Sequence, residues 1–340
     1  MDMRELIDTA ARMVADDKGL LAMDESTGTA DTRFAALGIP QTVEMRRTYR
    51  EWIVESPGFA ASIGGAILAD ETIRQSKSDG TPFPKALEAL GVVPGIKVDK
   101  GAKPLAGHPG EKVTEGLDGL RERLAEYRRL GARFAKWRAV IAIGDGIPSA
   151  ACLSDKAHAL ARYAALCQEA GIVPVVEPEV LMDGAHDLDR CFTVTEQTLR
   201  ATFAELSVQR VLLEGMILKP NMVVPGLDCP TQNTADEVAD ATVACLLRTV
   251  PAAVPAVAFL SGGQTAEDAS ARLNAMNLRH RGRLPWALTF SYARAIQQPA
   301  MELWRGDPAK VAAAQAALGR RAALNRAARR GEYTPDMEAV

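Results

Sequence analysis

The feature that most constrains this chain is a repeated alternation of a short apolar run, a polar or glycine-rich turn, and a stretch of helical period. The runs fall at 19–23, 64–68, 92–98, 134–141, 172–176, 212–218, 256–260 and 288–290. Each has the length of a strand rather than a helix, and continuous apolar character implies burial on both faces, as in a parallel sheet covered by helices. The run at 212–218 contains Gly215 but reads as a strand on the same grounds. Eight such units are the number that closes a (β/α)8 barrel. At 340 residues the chain is long for one domain, yet barrels of this kind extend by insertions. The expectation is α/β: a single (β/α)8 TIM barrel over 1–340 with extra N-terminal and C-terminal helices.

Helix ends support that segmentation. Ser154 is a candidate N-cap for a helix running to about Ala170 with Gly171 at its stop, and Thr234 for one running to Leu247. Thr265 followed by Asp268 resembles a capping box after the turn at Ser261. Residues 308–330 read as an alanine-rich basic helix whose charge is a solvated face, and 331–340 as a loose, flexible tail.

Several function classes are excluded early. The net charge is -3 with no long block of Lys and Arg, which argues against a nucleic-acid partner. No apolar run reaches membrane-spanning length, and the amphipathic N-terminus carries acids, unlike a signal or transit peptide. Five scattered cysteines without a C-x-x-C pair read as reduced, buried thiols, so a cytoplasmic location is expected. Four distant histidines leave little means of building a zinc site, so neither a metal nor another cofactor is expected.

Residues near the C-terminal ends of barrel strands face the active site, and alternate residues share a face. Five strands place polar or charged groups at that spacing: Asp24 and Ser26, Lys97 and Asp99, Lys136 and Arg138, Glu177 and Glu179, Lys219 and Asn221. One such pair is most often a structural ion pair. Five on one rim call for a common polar ligand, because buried charge is costly unless matched. Ser261-Gly262-Gly263-Gln264 precedes a helix after the seventh strand. Alone it reads as a flexible turn, but barrels commonly hold phosphate there, with the loop after strand eight, here Ser291-Tyr292-Ala293-Arg294.

The segments LLAMDESTGT, GIKVD, FAKWRAVI, VEPEVL, LLEGMILKPNMV, FLSGGQ and FSYARA, in this order, resemble the motifs of class I fructose-1,6-bisphosphate aldolases. The similarity runs from about residue 20 to 334. It implies reversible, metal-independent cleavage of fructose 1,6-bisphosphate to dihydroxyacetone phosphate and glyceraldehyde 3-phosphate in glycolysis. Lys219 would form the Schiff base, with Lys136 as the neighbouring ammonium that helps it shed its proton. Glu177 would be the general acid/base, Asp24 would orient the C4 hydroxyl, Glu179 would partner the lysines, and Arg138 would pair with these carboxylates or touch substrate. Ser261, Gly262, Gly263, Ser291 and Arg294 match the 1-phosphate side; Ser26, Arg33 and Lys97 match the 6-phosphate side. Arg46 is a further candidate there, on a helix where an arginine also serves solubility. The family usually has Ser at Thr29 and Gly at Ala293, and its animal members end in a tyrosine where this chain has Ala339-Val340. The resemblance also implies a homo-oligomer, a tetramer, acting on small sugar phosphates. The alternatives are another Schiff-base enzyme such as transaldolase or deoxyribose-phosphate aldolase, and a non-catalytic sugar-phosphate-binding scaffold.

Overall fold

The computed structural model describes residues 2–339. Eight strands lie parallel in a closed barrel: β1 (Gly19–Met23), β2 (Ile63–Leu68), β3 (Val93–Lys97), β6 (Phe134–Ile141), β7 (Val173–Val180), β8 (Ile217–Leu218), β9 (Ala256–Phe259) and β10 (Ala287–Tyr292). β10 closes on β1 through Leu20 opposite Ser291 and Leu21 opposite Tyr292. A two-stranded antiparallel hairpin, β4 (Ala102–Pro104) with β5 (Lys112–Thr114), fills the connection between β3 and β6. The sequence reading did not anticipate it, because three-residue strands carry no resolvable periodicity.

The two-residue period of a strand decides what enters the barrel. On β7, Val173 and Val175 belong to the interior cluster, and Val176 and Val180 to the outer core against the helices. β6 behaves alike: Phe134 is interior, whereas Ala135, Trp137 and Ile141 face the helices. The lower interior is thus apolar, and the next interior positions up the same strands are charged. The N-terminal helix Met3–Met13 closes the bottom, packing Leu6, Ala10 and Met13 into the interior cluster. Gly64 permits that approach, since a Cβ there would lie 2.2 Å from the Met13 carbonyl oxygen.

Three local expectations are corrected. Only Ile217–Leu218 of the run at 212–218 is strand; Leu213–Gly215 is a 3-10 turn, its carbonyls at Leu212 and Gly215 held by Gln168 Nε2 at 2.8 and 3.2 Å. Apolarity there serves contact with Leu6 beneath the barrel, which periodicity cannot distinguish from a strand. The helix expected from Ser154 starts a turn earlier, as Ala150–Glu169, because Ser149 Oγ accepts the Cys152 N–H at 3.1 Å while Glu111 accepts the Ser149 N–H at 2.7 Å. The loose tail is anchored at two points: Tyr333 is buried, and Pro335–Glu338 forms an otherwise largely exposed turn whose Glu338 reaches Arg321. Thr234 and Glu237 form a full capping box, whereas Thr265 caps its helix without a reciprocal bond.

Candidate active site

At the C-terminal rim the interior positions bring together the charges that the sequence placed there two residues apart. Lys219, one residue beyond β8, lies with Nζ 3.1 Å from Glu177 Oε1. Lys136 on β6 lies 2.7 Å from Asp24 Oδ2 and 3.4 Å from Glu177 Oε2. Lys97 on β3 contacts Asp99 Oδ1 at 2.7 Å, and the second oxygen of Asp99 accepts the Arg138 N–H at 3.3 Å. Arg138 pairs with Glu179. All these groups line one cavity of about 490 Å³. Lys219, Lys136, Glu177 and Asp24 are all at most 8% exposed.

Burial of this much charge is tolerable because it is matched. Four cations, Lys97, Lys136, Lys219 and Arg138, face four anions, Asp24, Asp99, Glu177 and Glu179. Burial alone would push the Asp24 carboxyl up, but the ammoniums of Lys136, Lys219 and Lys97 outweigh it and hold the carboxyl down at about 2. Burial opposes the Lys136 charge too, and Asp24, Glu177 and Asp99 together raise its pKa above the ordinary lysine value. Lys136 is therefore a fixed cation, its charge tied up by carboxylates.

The two flanks differ in build. On one, Ser261 and Gly262 follow β9, and Ser291 and Arg294 come from β10 and its following helix; all four line the cavity. Gly262 takes φ 57, a left-handed turn that glycine adopts freely, and Arg294 donates to its carbonyl. Ser291 Oγ is buried without a hydrogen-bond partner, an orphan hydroxyl at a cavity wall. Gly263 does not line the cavity, its N–H pointing at Met182 Sδ at 3.1 Å. Ala293 lines it at φ −109, so the methyl group meets no left-handed backbone strain. On the other flank, Ser26 caps the helix Thr27–Ala36, and its Oγ sits 3.0 Å from Thr29 Oγ1. Arg33 pairs with Glu25 and donates to Gln298 Oε1 at 3.0 Å. Arg46 lies outside this cavity, in a neighbouring cleft of about 410 Å³ that shares Asp24, Ser26 and Lys97 with it. Glu71 holds the Arg46 guanidinium at 2.8 Å through two N–H groups, and Asp31 holds it at 2.7 Å.

Arg50 enlarges the set read from the sequence, and Asp99, which the sequence placed on this rim without a role, gains one. Asp99 touches Lys97 and lies 4.0 Å from Lys136, so it belongs to the charge cluster. Its position two residues after Lys97 was the signal. Arg50, 3% exposed, pairs with Glu25 at 2.7 Å and so backs the Arg33 contact. Its only trace in the sequence is the spacing of four from Arg46. Among the described residues no cluster of three His, Cys, Asp or Glu side chains is placed to hold a metal ion. A primary amine in contact with a buried carboxylate, flanked by cations and hydroxyls, is built to condense with a carbonyl and shuttle protons.

The family model for fructose-bisphosphate aldolase class-I matches residues 5–340. A probable fructose-bisphosphate aldolase class 1 of Xanthomonas axonopodis pv. citri is 56% identical, covering 98% of this chain and 99% of its own. Human fructose-bisphosphate aldolase C is 50% identical over 97% of this chain and 91% of its own. Among solved structures, the Plasmodium falciparum fructose-bisphosphate aldolase, in complex with TRAP and a small-molecule inhibitor, superposes with a TM-score of 0.95 at 45% identity, covering 97% of this chain and 95% of that one.

Proposed function

This chain belongs to the class I fructose-bisphosphate aldolases, and we propose that Lys219 is the amine that carries the substrate as a Schiff base, with Glu177 moving the protons. The observation that carries this reading is the 3.1 Å contact between Lys219 Nζ and Glu177 Oε1 at the floor of a cavity with cations on both flanks.

Glu177 first takes a proton from the Lys219 ammonium, the neutral amine attacks C2 of fructose 1,6-bisphosphate, and Glu177 returns that proton as the carbinolamine hydroxyl leaves as water. The protonated imine then accepts the electron pair of the C3–C4 bond. Glu177 takes the C4 hydroxyl proton in that step, and glyceraldehyde 3-phosphate departs. A proton returned to C3 of the enamine and hydrolysis of the imine release dihydroxyacetone phosphate. Asp24 orients the C4 hydroxyl and holds Lys136, 2.7 Å away, in the position of a permanent cation beside the reacting centre. Glu179 restrains Arg138, leaving it available to a substrate hydroxyl. Ser261, Gly262, Ser291 and Arg294 hold the 1-phosphate, while Gly263, outside the cavity with its N–H on Met182 Sδ, shapes their turn rather than touching the ligand. The orphan hydroxyl of Ser291 gains a partner when that phosphate arrives. Ser26, Arg33 and Lys97 serve the 6-phosphate, with Arg46 at a distance behind them. The same reading has the enzyme act in glycolysis in the cytoplasm, as a homotetramer, on small sugar phosphates and without membrane or nucleic-acid partners. No described helix is long and apolar enough to cross a membrane.

The test is trapping. Dihydroxyacetone phosphate with borohydride in EDTA should give a reduced adduct that peptide mapping places on Lys219, and EDTA should leave cleavage unchanged. Lys219→Ala should bind substrate yet lose turnover by several orders of magnitude. An adduct on any other lysine, or cleavage near wild type in that variant, would refute the assignment.

A further inference from the structure

A second cavity, of about 240 Å³, opens at the opposite end of the barrel, where β10 begins. It lies between the turn that follows the helix Ala266–Arg279 and the C-terminal end of the helix Val311–Arg330, with Trp286 in its wall. Its wall carries three guanidiniums, Arg281, Arg329 and Arg330, against one carboxylate, Asp17.

The three arginines are unequally satisfied. Arg330 pairs with Glu332 at 2.8 Å. Arg281 donates to the Arg330 carbonyl at 2.7 Å and Arg329 to the Lys18 carbonyl, and neither has a carboxylate partner among the described residues. A guanidinium offers five N–H donors, so the protein uses little of the capacity of either; Arg329 is partly buried, whereas Arg281 is exposed and its free donors face solvent. Burial lowers the Arg329 pKa to about 10, with the Asp17 and Asp16 charges opposing and Arg326 adding to the fall, so it remains a cation at neutral pH with no carboxylate in direct contact. Arginines at a helix C-terminus complement the carbonyl end of the helix. Arg326 instead grips a carbonyl of another segment, Asp16 in the turn before β1, at 3.2 and 2.9 Å. Neither kind of contact accounts for a partly buried guanidinium lining a cavity whose wall carries a second, exposed arginine without a carboxylate partner.

We propose that this cavity is a binding site for a small phosphate-bearing anion, held by Arg329 and Arg281 and separate from the substrate cavity. A tetrahedral oxyanion matches the donors that two guanidiniums offer, and the partial burial of Arg329 strengthens its share of such charge-assisted bonds. Occupancy would tie the end of the last long helix to the turn at 280–286 and to the loop before β1, stabilising the fold by mass action.

Tungstate, a heavy phosphate analogue, locates the site directly. Crystals of the full chain soaked in tungstate should show an anomalous peak between Arg329 and Arg281, with peaks at the catalytic rim as the positive control. In solution, calorimetric titration with inorganic phosphate should show this class of site weakened about tenfold or more by Arg329→Met, and comparably by Arg281→Gln, with kcat and KM for cleavage unchanged. An occupied rim with an empty lower cavity overturns the proposal. So does a peak that both substitutions leave in place, which would mark an adventitious ion only. If Arg329→Met fails to fold, the wild-type tungstate map and Arg281→Gln decide the matter.

Discussion

Asp24 is a buried carboxylate that stays ionised because Lys136 sits 2.7 Å away, with Lys219 and Lys97 adding their charges. Its folded value of about 2 lies below the ordinary 3.8, so its ionisation stabilises the fold above the unfolded value, and that contribution is lost as pH falls from near 3.8 towards 2. The displacement is worth about 2 kcal/mol. Urea denaturation followed from pH 5 down to pH 2.5 should therefore show wild type losing about 1.5 kcal/mol more than Asp24→Asn across that window, the remainder going as pH passes below 2. Equal losses would mean the Asp24–Lys136 pair is not an ionic one in solution. At this scale the sequence was most informative where chemistry and strand period coincide. Lys219, Glu177, Asp24 and Lys136 stood out because a charged residue in an apolar strand requires a matched partner. Arg46 and Arg50 could not be ranked in that way, since an arginine on a helix reads the same whether solvated or paired. In the fold Arg50 is 3% exposed against Glu25, whereas Arg46 is held by Glu71 and Asp31 outside the substrate cavity.

Elements were legible to the extent that their hydrophobicity followed one period. All eight barrel strands coincide with apolar runs, but β8 shrinks to two residues because the remainder of its run packs beneath the barrel rather than within it. Strand register was invisible in the sequence, since pairing depends on neighbours distant along the chain. It is set in part by Gly95 of β3, opposite Phe134 of β6. A Cβ on Gly95 would lie 2.2 Å from the Phe134 ring, so the ring fills the barrel interior only because that position is bare. Gly95→Ala should cost about 1–3 kcal/mol by overpacking, and adding Phe134→Leu should recover part of the loss. Because Lys97 and Lys136 are themselves in register two residues further along these strands, the single variant should also lower kcat. Thermal unfolding and steady-state rates of wild type and the two variants check both points; a double variant no better than the single one would remove Phe134 as the cause.

Across the whole molecule, the C-terminal segment reaches the catalytic rim through one buried side chain. Arg321, 5% exposed, donates to Ala266 O at 2.7 Å, to Ser270 Oγ at 2.8 Å and to Ala295 O at 3.4 Å. Ala266 and Ala295 lie in the first turns of the helices that follow β9 and β10; the loop before the first carries Ser261 and Gly262, and Arg294 opens the second. Arg321 thus fixes the two elements that form the proposed 1-phosphate flank relative to each other. Its counter-charge comes from the end of the chain, Glu338 Oε1 at 2.5 Å, with the Tyr333 hydroxyl on the same oxygen at 2.9 Å. The sequence reading of a loose tail had no means of finding this, because the partner of Glu338 is a basic residue among many on a helix that reads as a solvated face. Glu338→Gln keeps the shape and removes the charge, leaving Arg321 without a carboxylate; the expected cost is about 1–2 kcal/mol. The functional consequence follows from geometry rather than stability. With Arg321 freer to shift, the Gly262 turn and Arg294 lose their common anchor, so KM for fructose 1,6-bisphosphate should rise severalfold while kcat and borohydride trapping on Lys219 change less. A variant that loses kcat with KM unchanged would place the influence of the segment on the chemical steps instead, and one that loses stability alone would confine Arg321 to holding helices together.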